Sequence, residues 1–455
     1  MITIKFGVFH ILSDNIYENV IMKYKSYNVR PFAFIFDSYV FSWFWDNMYA
    51  LLLLMLIMHV ANLFLVYKIC EKIDIKLNGF CLTLFALSPI LVEALYWISA
   101  STRIVFSLFL CLASIYLLLN SFEVENKAKK STILLGGIFL NLVCVGFYEQ
   151  TIALNLFLFV FVLVCLKKYK YMFIPILSTT WIGVWYLYFM LNGEMQTRGA
   201  LNLSGMFSRA VSCMKMVWIN FRNGFLNFLY SLELNKEVIL SSLFSLVILA
   251  IFIGFIYYIY KNNCNEICNK KVIRKSIFAI IFVVAPILPF IVLNTEYIAV
   301  RNLYFTTFGL AVFVEIIFDF VIGFIKNEKV CNVLKTGILA YVCFFYIISN
   351  IDGVNNFRKV NLLDNKVVSQ ILEIVDEEAI ISEKSISINY DTNELTKYKN
   401  LSHTIISIIE VDWALLGKIQ VVREDINLPK VYINSRQNDA DYVFYFDENM
   451  NLIQN

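Results

Sequence analysis

Runs of about twenty apolar residues recur along this chain, and they limit its fold more than any other feature of the sequence. A helix of roughly 20 apolar residues crosses the hydrocarbon core of a bilayer, which is about 30 Å thick. Only 16% of the 455 residues are charged, against about a quarter in an ordinary soluble protein. The sequence therefore predicts an all-α polytopic membrane bundle of about ten transmembrane helices. The predicted spans cover residues 48–67, 79–97, 104–119, 132–147, 152–166, 171–191, 239–260, 277–293, 303–325 and 330–351.

The basic residues of the loops predict which side of the membrane each loop faces. One set of alternate loops holds 17 lysines and arginines, whereas the short loops of the opposite set hold only Arg103 and Arg301. Cytoplasmic loops carry the excess of basic residues. The lysine-rich loops are therefore predicted to be cytoplasmic, in a plasma (inner) membrane, and the opposite loops and the C-terminal tail extracytoplasmic.

The chain is predicted to have three parts. Residues 1–47 form an extracytoplasmic segment with an amphipathic helix, residues 48–351 form the transmembrane bundle, and residues 352–455 form a soluble domain. The tail starts with a helical pattern and continues with the strand-like runs SISINY, KIQVV, KVYIN and DYVFYF. This order predicts a small extracytoplasmic α/β domain of about 100 residues.

The external segment 192–238 of the bundle is more than a loop. Residues 206–230 mix aromatic and aliphatic side chains with Arg209, Lys215 and Arg222. This mixture is typical of a helix that lies in the membrane interface.

Charge and cysteine spacing exclude several functions. The net charge of +3 is nearly balanced, which argues against a nucleic-acid partner. The ten cysteines are scattered and show no spacing typical of disulfides or of a metal site. We therefore expect neither a metal nor a separate cofactor.

Four segments resemble, in order, motifs of the GT-C class of integral membrane glycosyltransferases, in particular the bacterial branch of the O-mannosyltransferase-like family. The first holds an RP dipeptide and an HxxN pair, and the second reads SPILVEALYW. The third is the junction FYEQ, and the fourth reads RNLYFTTFG. Their matching residues are Arg30, His59 and Asn62; Pro89, Glu93, Trp97 and, two places late, Arg103; Glu149; and Arg301, Leu303, Tyr304 and Gly309.

The resemblance implies an inverting transferase with its active site on external loops. The donor would be a sugar on undecaprenyl phosphate, which is a substrate rather than a cofactor. The acceptor would be an extracytoplasmic glycan, lipid or protein. A carboxylate on the first external loop would act as general base, and cations would hold the leaving lipid phosphate.

The resemblance also assigns roles to particular residues. Asp14 is the candidate base and Glu18 the second candidate. Arg301 and Arg103 would bind the donor phosphate. The supporting residues would be Glu93, Glu149, Arg30 and His59.

Each role has a structural alternative that the sequence leaves open. Asp14 caps a helix equally well, and Glu93 and Arg103 would form a pair that ties two helices. Arg301 would snorkel to the interface, and His59 would be a packing residue inside a span.

The function also has alternatives outside enzymes. Glu315 and Asp319, four residues apart on one side of a span, are typical of an ion pathway. A transporter or flippase of lipid-linked glycans is therefore a second hypothesis. A non-catalytic envelope assembly protein is a third, because family members carry a span before the first loop and residues 1–13 are too short to supply it. Either a first span is missing from this sequence or the protein is a truncated relative.

Overall fold

The computed structural model describes residues 30–44, 47–192, 204–226, 269–292, 298–323 and 328–375, with short stretches of the tail beyond. Helices dominate the described part of the chain. They are α1 Pro31–Tyr39, α2 Met48–Lys72, α3 Gly79–Leu87, α4 Val92–Tyr96, α5 Ile98–Ser121, α6 Lys127–Cys144, α7 Glu149–Cys165, α8 Phe173–Leu191, α9 Met206–Leu226, α10 Asn269–Val284, α11 Leu288–Val292, α12 Tyr304–Gly323 and α13 Glu328–Ile374.

The helices make this a polytopic membrane protein. Among the described residues, six helices are long and apolar enough to cross a membrane, and a bent pair makes a seventh if it counts as one span. Two predicted spans, 132–147 and 152–166, fall in α6 and α7, which are not among these candidate spans. The predicted span 239–260 lies outside the described residues. The membrane bundle is thus confirmed, and the number of ten spans stays a prediction.

The span predicted at 79–97 is broken in the middle. Helix α3 ends before Pro89, and the chain turns by 42° into the segment Pro89–Tyr96. Proline lacks the amide hydrogen that a continuing helix needs, and it disfavours helical geometry in the preceding residue, here Ser88. A break inside a bilayer leaves carbonyl groups that must find donors. His59 Nε2 lies 3.4 Å from the Ala86 carbonyl, and Asn350 Nδ2 donates to the Leu87 carbonyl at 2.7 Å.

Polar side chains join the shorter helices to the bundle. Asn141 of α6 donates to Asn155 of α7 at 2.7 Å, and Asn155 donates to Ser178 of α8 at 3.2 Å. Thr151 of α7 donates to Ser107 of α5 at 2.9 Å. Hydrogen bonds of this kind hold membrane helices together where apolar burial gives no preference for a protein neighbour over lipid.

Residues from Ile351 onward form a second compact unit, which we describe by itself. It contains β1 Ser385–Asn389, β2 Lys430–Ile433, β3 Tyr442–Phe446 and β4 Leu452–Gln454 in the order β2-β1-β3-β4. Strand β1 runs parallel to β2 and β3, and β4 is antiparallel to β3.

Three of the runs predicted as strands therefore form strands, but the prediction at KIQVV is wrong. The described residues there, Lys418, Ile419 and Val422, are helical. Ile419 is buried and Val422, three places later, is exposed. A run this short fits both periodicities, so its pattern alone does not separate strand from helix.

Candidate functional site

Arg30 and Glu149 form the first of three arginine–carboxylate pairs among the residues that the structure describes in the bundle. The RP dipeptide opens a helix: Arg30 is the N-cap of α1 and Pro31 its first residue. The Arg30 guanidinium lies 2.8–3.0 Å from the Glu149 carboxylate, and its centre is 4.4 Å from the centroid of the Tyr148 ring. Burial alone would lower the pKa of Arg30, but Glu149 and Tyr148 raise it above its ordinary value. Arg30 therefore stays charged. Its guanidinium is held in one orientation by its hydrogen bonds to the Glu149 carboxylate and by the Tyr148 ring against its face.

Glu93 and Arg301 form the second pair. Arg301 binds Glu93 twice: the guanidinium donates to one carboxylate oxygen at 2.5 Å, and the backbone N–H to the other at 3.2 Å. The guanidinium also lies over Trp97, 4.4 Å from the ring centroid. The side chains of Arg301 and Glu93 are 32% and 13% exposed, so this pair is only partly enclosed by protein.

This geometry corrects one structural expectation, the pair of Glu93 with Arg103. The chain is extended at Trp97 between α4 and α5. Arg103 lies on α5, and its guanidinium donates to Asp37 of α1 at 3.1 Å. Glu93, before the extended residue, meets Arg301 instead.

Asp37 is the site residue that sequence reasoning missed. Its carboxylate is buried, one oxygen accepts from Arg103, and Oδ1 meets no donor at hydrogen-bonding geometry in the described part of the chain. Burial raises the pKa of Asp37, and Arg103 opposes that rise. The signal was a single carboxylate within the aromatic stretch FAFIFDSYVFSWF.

Tyr148 connects the pairs. Its ring carries the Arg30 guanidinium, and its hydroxyl donates to the side chain of Asn302, the neighbour of Arg301. Burial raises the pKa of Tyr148 although the charges of Arg30, Arg301 and Arg103 all lower it, so the hydroxyl stays protonated and acts as the donor. Tyr148 thus contacts Arg30 through its ring and the neighbour of Arg301 through its hydroxyl.

Gln150 also bonds to the turn Val300–Leu303, which carries Arg301 and Asn302. Its side-chain amide donates to the carbonyls of Pro286 and Asn302, both at 2.9 Å. The turn Val300–Leu303 that carries Arg301 is therefore held by two residues of the Tyr148–Gln150 junction.

His59 lies deeper in the bundle, and both of its ring nitrogens have partners. Nδ1 lies 2.7 Å from the Tyr304 hydroxyl, which also accepts from Asn62 at 3.3 Å. Nε2 faces the Ala86 carbonyl at the break after α3. If the proton is on Nε2, the ring donates to the carbonyl and accepts from Tyr304. This geometry favours the packing role that the sequence left open for His59.

Glu315 and Asp319, the acids four residues apart in α12, lie toward the opposite, lysine-rich end of the bundle, and both have hydrogen-bond partners. Glu315 is buried and accepts from Lys275 and from the backbone N–H groups of Asn78 and Cys81, at 3.1 Å and 3.0 Å. Asp319 accepts from the Asn78 side chain at 2.8 Å and from Lys335 at 3.1 Å.

Two candidate residues, Asp14 and Glu18, lie outside the described residues, so their roles stay predictions. In the part of the chain that the structure describes, no group of three His, Cys, Asp or Glu side chains is placed to hold a metal ion. The expectation of no cofactor is untested by this observation.

Fold and site together define a polytopic membrane protein in which the described residues include three arginine–carboxylate pairs near one end of the bundle. No protein-family model matches the chain, no curated protein matches it, and no solved structure matches it.

Proposed function

We propose that this protein is an inverting glycosyltransferase of the GT-C type. It would move a sugar from a polyprenyl-phosphate donor to an extracytoplasmic glycan, lipid or protein. The proposal includes a plasma-membrane location, ten spans, and an extracytoplasmic α/β domain at the C-terminus.

One observation carries the proposal: the four segments that resemble GT-C motifs meet in space. Arg30 of the first segment binds Glu149 of the third, 119 residues away. Glu93 of the second binds Arg301 of the fourth, 208 residues away. A chance resemblance in four separate places gives no reason for such pairing.

The contact between the first and fourth segments supports the same conclusion. His59 of the HxxN pair lies 2.7 Å from the hydroxyl of Tyr304 in RNLYFTTFG. Asn62, the other member of the pair, donates to the same hydroxyl at 3.3 Å. Residues of the first and fourth motifs thus contact each other directly.

The chemistry of the pairs suits a lipid phosphate as leaving group. Arginine presents a planar fork that matches phosphate oxygens, and a desolvated cation stabilises charge that develops in the transition state. Arg301 is partly exposed and already bonded to Glu93. An incoming phosphate would therefore compete with the Glu93 carboxylate for Arg301. Because the phosphate would take the place of Glu93, Arg301 would keep an anionic partner.

An ion-transport role has weaker support. Glu315 and Asp319, the acids that suggested it, are bonded by Lys275, Lys335 and Asn78. Such bonds tie helices together and leave these carboxylates few sites for an ion.

The proposal is tested with the purified protein in proteoliposomes and a panel of undecaprenyl-phosphate sugars. Release of undecaprenyl phosphate and saturable donor binding are both measured. Asp14→Asn keeps a helix-capping side chain but removes the base, so we expect release to fall by about 10² to 10⁴ with folding unchanged. Glu125→Gln, at an exposed position of the lysine-rich end, serves as the control.

The outcomes separate the alternatives. Loss of release in Glu18→Gln but not in Asp14→Asn would make Glu18 the base. If neither matters in an active protein, Glu93 becomes the next candidate. A folded protein that neither binds nor cleaves any donor contradicts the proposal and favours an assembly role.

A further inference from the structure

Helix α9 presents three distinct faces. With 3.6 residues per turn, successive side chains are about 100° apart around a helix. On this spacing, one face holds Cys213 and Val217, a second holds Phe207, Val211, Met214 and Trp218, and a third holds Ser208, Ser212 and Lys215.

The first face is packed onto the bundle. Cys213 and Val217 are buried in a cluster with Ile90, Val300 and Leu303. Arg209 adds a polar anchor, since its Nε donates to the Ile291 carbonyl in α11 at 3.0 Å. The cluster includes the turn that carries Arg301.

The second face is apolar and exposed. Phe207 is 83% exposed and Trp218 is 63% exposed, and Val211 and Met214 lie between them on the same stripe. Four large apolar side chains in one row would be costly in water. The third face, about a quarter-turn away, is polar, and Lys215 lies nearest to the apolar stripe.

We propose that α9 lies flat on the membrane and binds anionic phospholipid through this stripe and Lys215. A helix in the interface needs an apolar face toward the acyl chains, a polar face toward water, and basic residues at the boundary between them. The sequence of α9, MFSRAVSCMKMVWINFRNGFL, holds three basic residues and no acidic one. That charge matches anionic headgroups and would repel a basic protein partner.

The packed face gives this lipid contact a consequence. Helix α9 shares its buried cluster with the turn that carries Arg301. Lipid that fixes the position of α9 would therefore also help to fix the position of that turn. Lipid binding itself does not depend on the proposed transferase activity.

The test uses the full-length protein with the photo-crosslinking residue p-benzoylphenylalanine at Trp218 or at Ser212. The protein is placed in vesicles of phosphatidylcholine with or without phosphatidylglycerol, and adducts are identified by mass. We expect phospholipid adducts at position 218 and several-fold fewer at position 212. We also expect phosphatidylglycerol adducts at position 218 to exceed its share of the vesicle by up to about fivefold.

Charge variants test the role of Lys215. Lys215→Gln should remove most of the preference for phosphatidylglycerol while leaving the total lipid adducts at position 218 unchanged. Lys129→Gln, on the lysine-rich end, should change neither.

Several results would overturn the proposal. These are equal lipid adducts at positions 218 and 212, crosslinks from position 218 to a second copy of the chain, and no phosphatidylglycerol preference in the unaltered protein.

Discussion

The two ends of the bundle use the same chemical groups in different ways. At the lysine-rich end, Glu315 is completely buried and bonded by a lysine and two backbone amides. At the other end, Arg301 and Glu93 are partly exposed, and the arginine keeps an aromatic ring on its face. Removing a partner from a buried pair leaves an uncompensated charge, whereas a partly exposed pair can exchange its partner. The buried Glu315 pair is therefore suited to stabilising the fold, whereas the partly exposed Arg301–Glu93 pair is free to exchange its partner for another anion.

The largest expected effect concerns which end faces the cytoplasm. Alkaline phosphatase is active only outside the cytoplasm, and green fluorescent protein folds well inside it. Because of the 17-to-2 distribution of basic residues between the loops, phosphatase fused after Asn455 should be active and the fluorescent protein dark. Fusions after Glu125, in a lysine-rich loop, should give the reverse. The opposite pattern would show that the lysine-rich end faces away from the cytoplasm, and the predicted orientation would be wrong.

The next effect concerns stability at the lysine-rich end. Glu315→Gln keeps the shape but removes the closest partner of the Lys275 charge and leaves it Asp319, 4.0 Å away. We therefore expect a loss of about 3 kcal/mol in the free energy of unfolding, the lower end for breaking a buried pair. Unfolding in mixed detergent micelles measures it. Glu71→Gln, which breaks the exposed pair with Lys68, should cost at most about 1 kcal/mol.

A second change tests the cause. Adding Lys275→Met to Glu315→Gln removes the charge that has lost its closest partner and should restore part of the stability. Similar unfolding of Glu315→Gln and Glu71→Gln would show that burial does not distinguish the two pairs.

A smaller effect is expected at the arginine end. Arg301→Lys keeps the charge but loses the fork and the planar contact with Trp97. Saturable binding of an undecaprenyl-phosphate sugar should weaken about tenfold or more, as expected for one charge-assisted hydrogen bond of about 1.5–3 kcal/mol, while unfolding changes little. Arg274→Lys is the control on α10. Unchanged donor binding in Arg301→Lys would remove Arg301 from the site.

The smallest effect concerns the link between pairs. Tyr148→Phe keeps the ring under Arg30 but loses the hydrogen bond to Asn302, which should cost about 1 kcal/mol of stability. Tyr148→Leu removes the ring as well and should cost more. If Tyr148→Phe weakens donor binding as much as Arg301→Lys does, the hydroxyl positions the Arg301 turn rather than only stabilising the fold.

Local patterns predicted much of the fold and little of the pairing. Apolar runs revealed spans such as those in α2 and α12 because each run carries its own signal. The break at Pro89 had a local signal too, but the apolar length of 79–97 outweighed it in the prediction. The pairs Arg103–Asp37 and Arg301–Glu93 join residues 66 and 208 positions apart. Which acid meets which arginine depends on how helices rotate and bend, and this is not encoded near either residue.

The hydrogen bond between Asn141 and Asn155 bears on how α6 and α7 would enter a membrane during synthesis. Helix α6 has 18 residues and starts with KAKK, and α7 has 17 residues. Each carries an asparagine that is costly to place alone in lipid, and each satisfies the other only when both are inside. If α6 and α7 both cross the bilayer, as the sequence predicts, we expect them to enter as one hairpin, because the bond forms only when both asparagines are inside. A substitution such as Asn141→Asp would act first on this insertion step, before the finished protein exists to be destabilised.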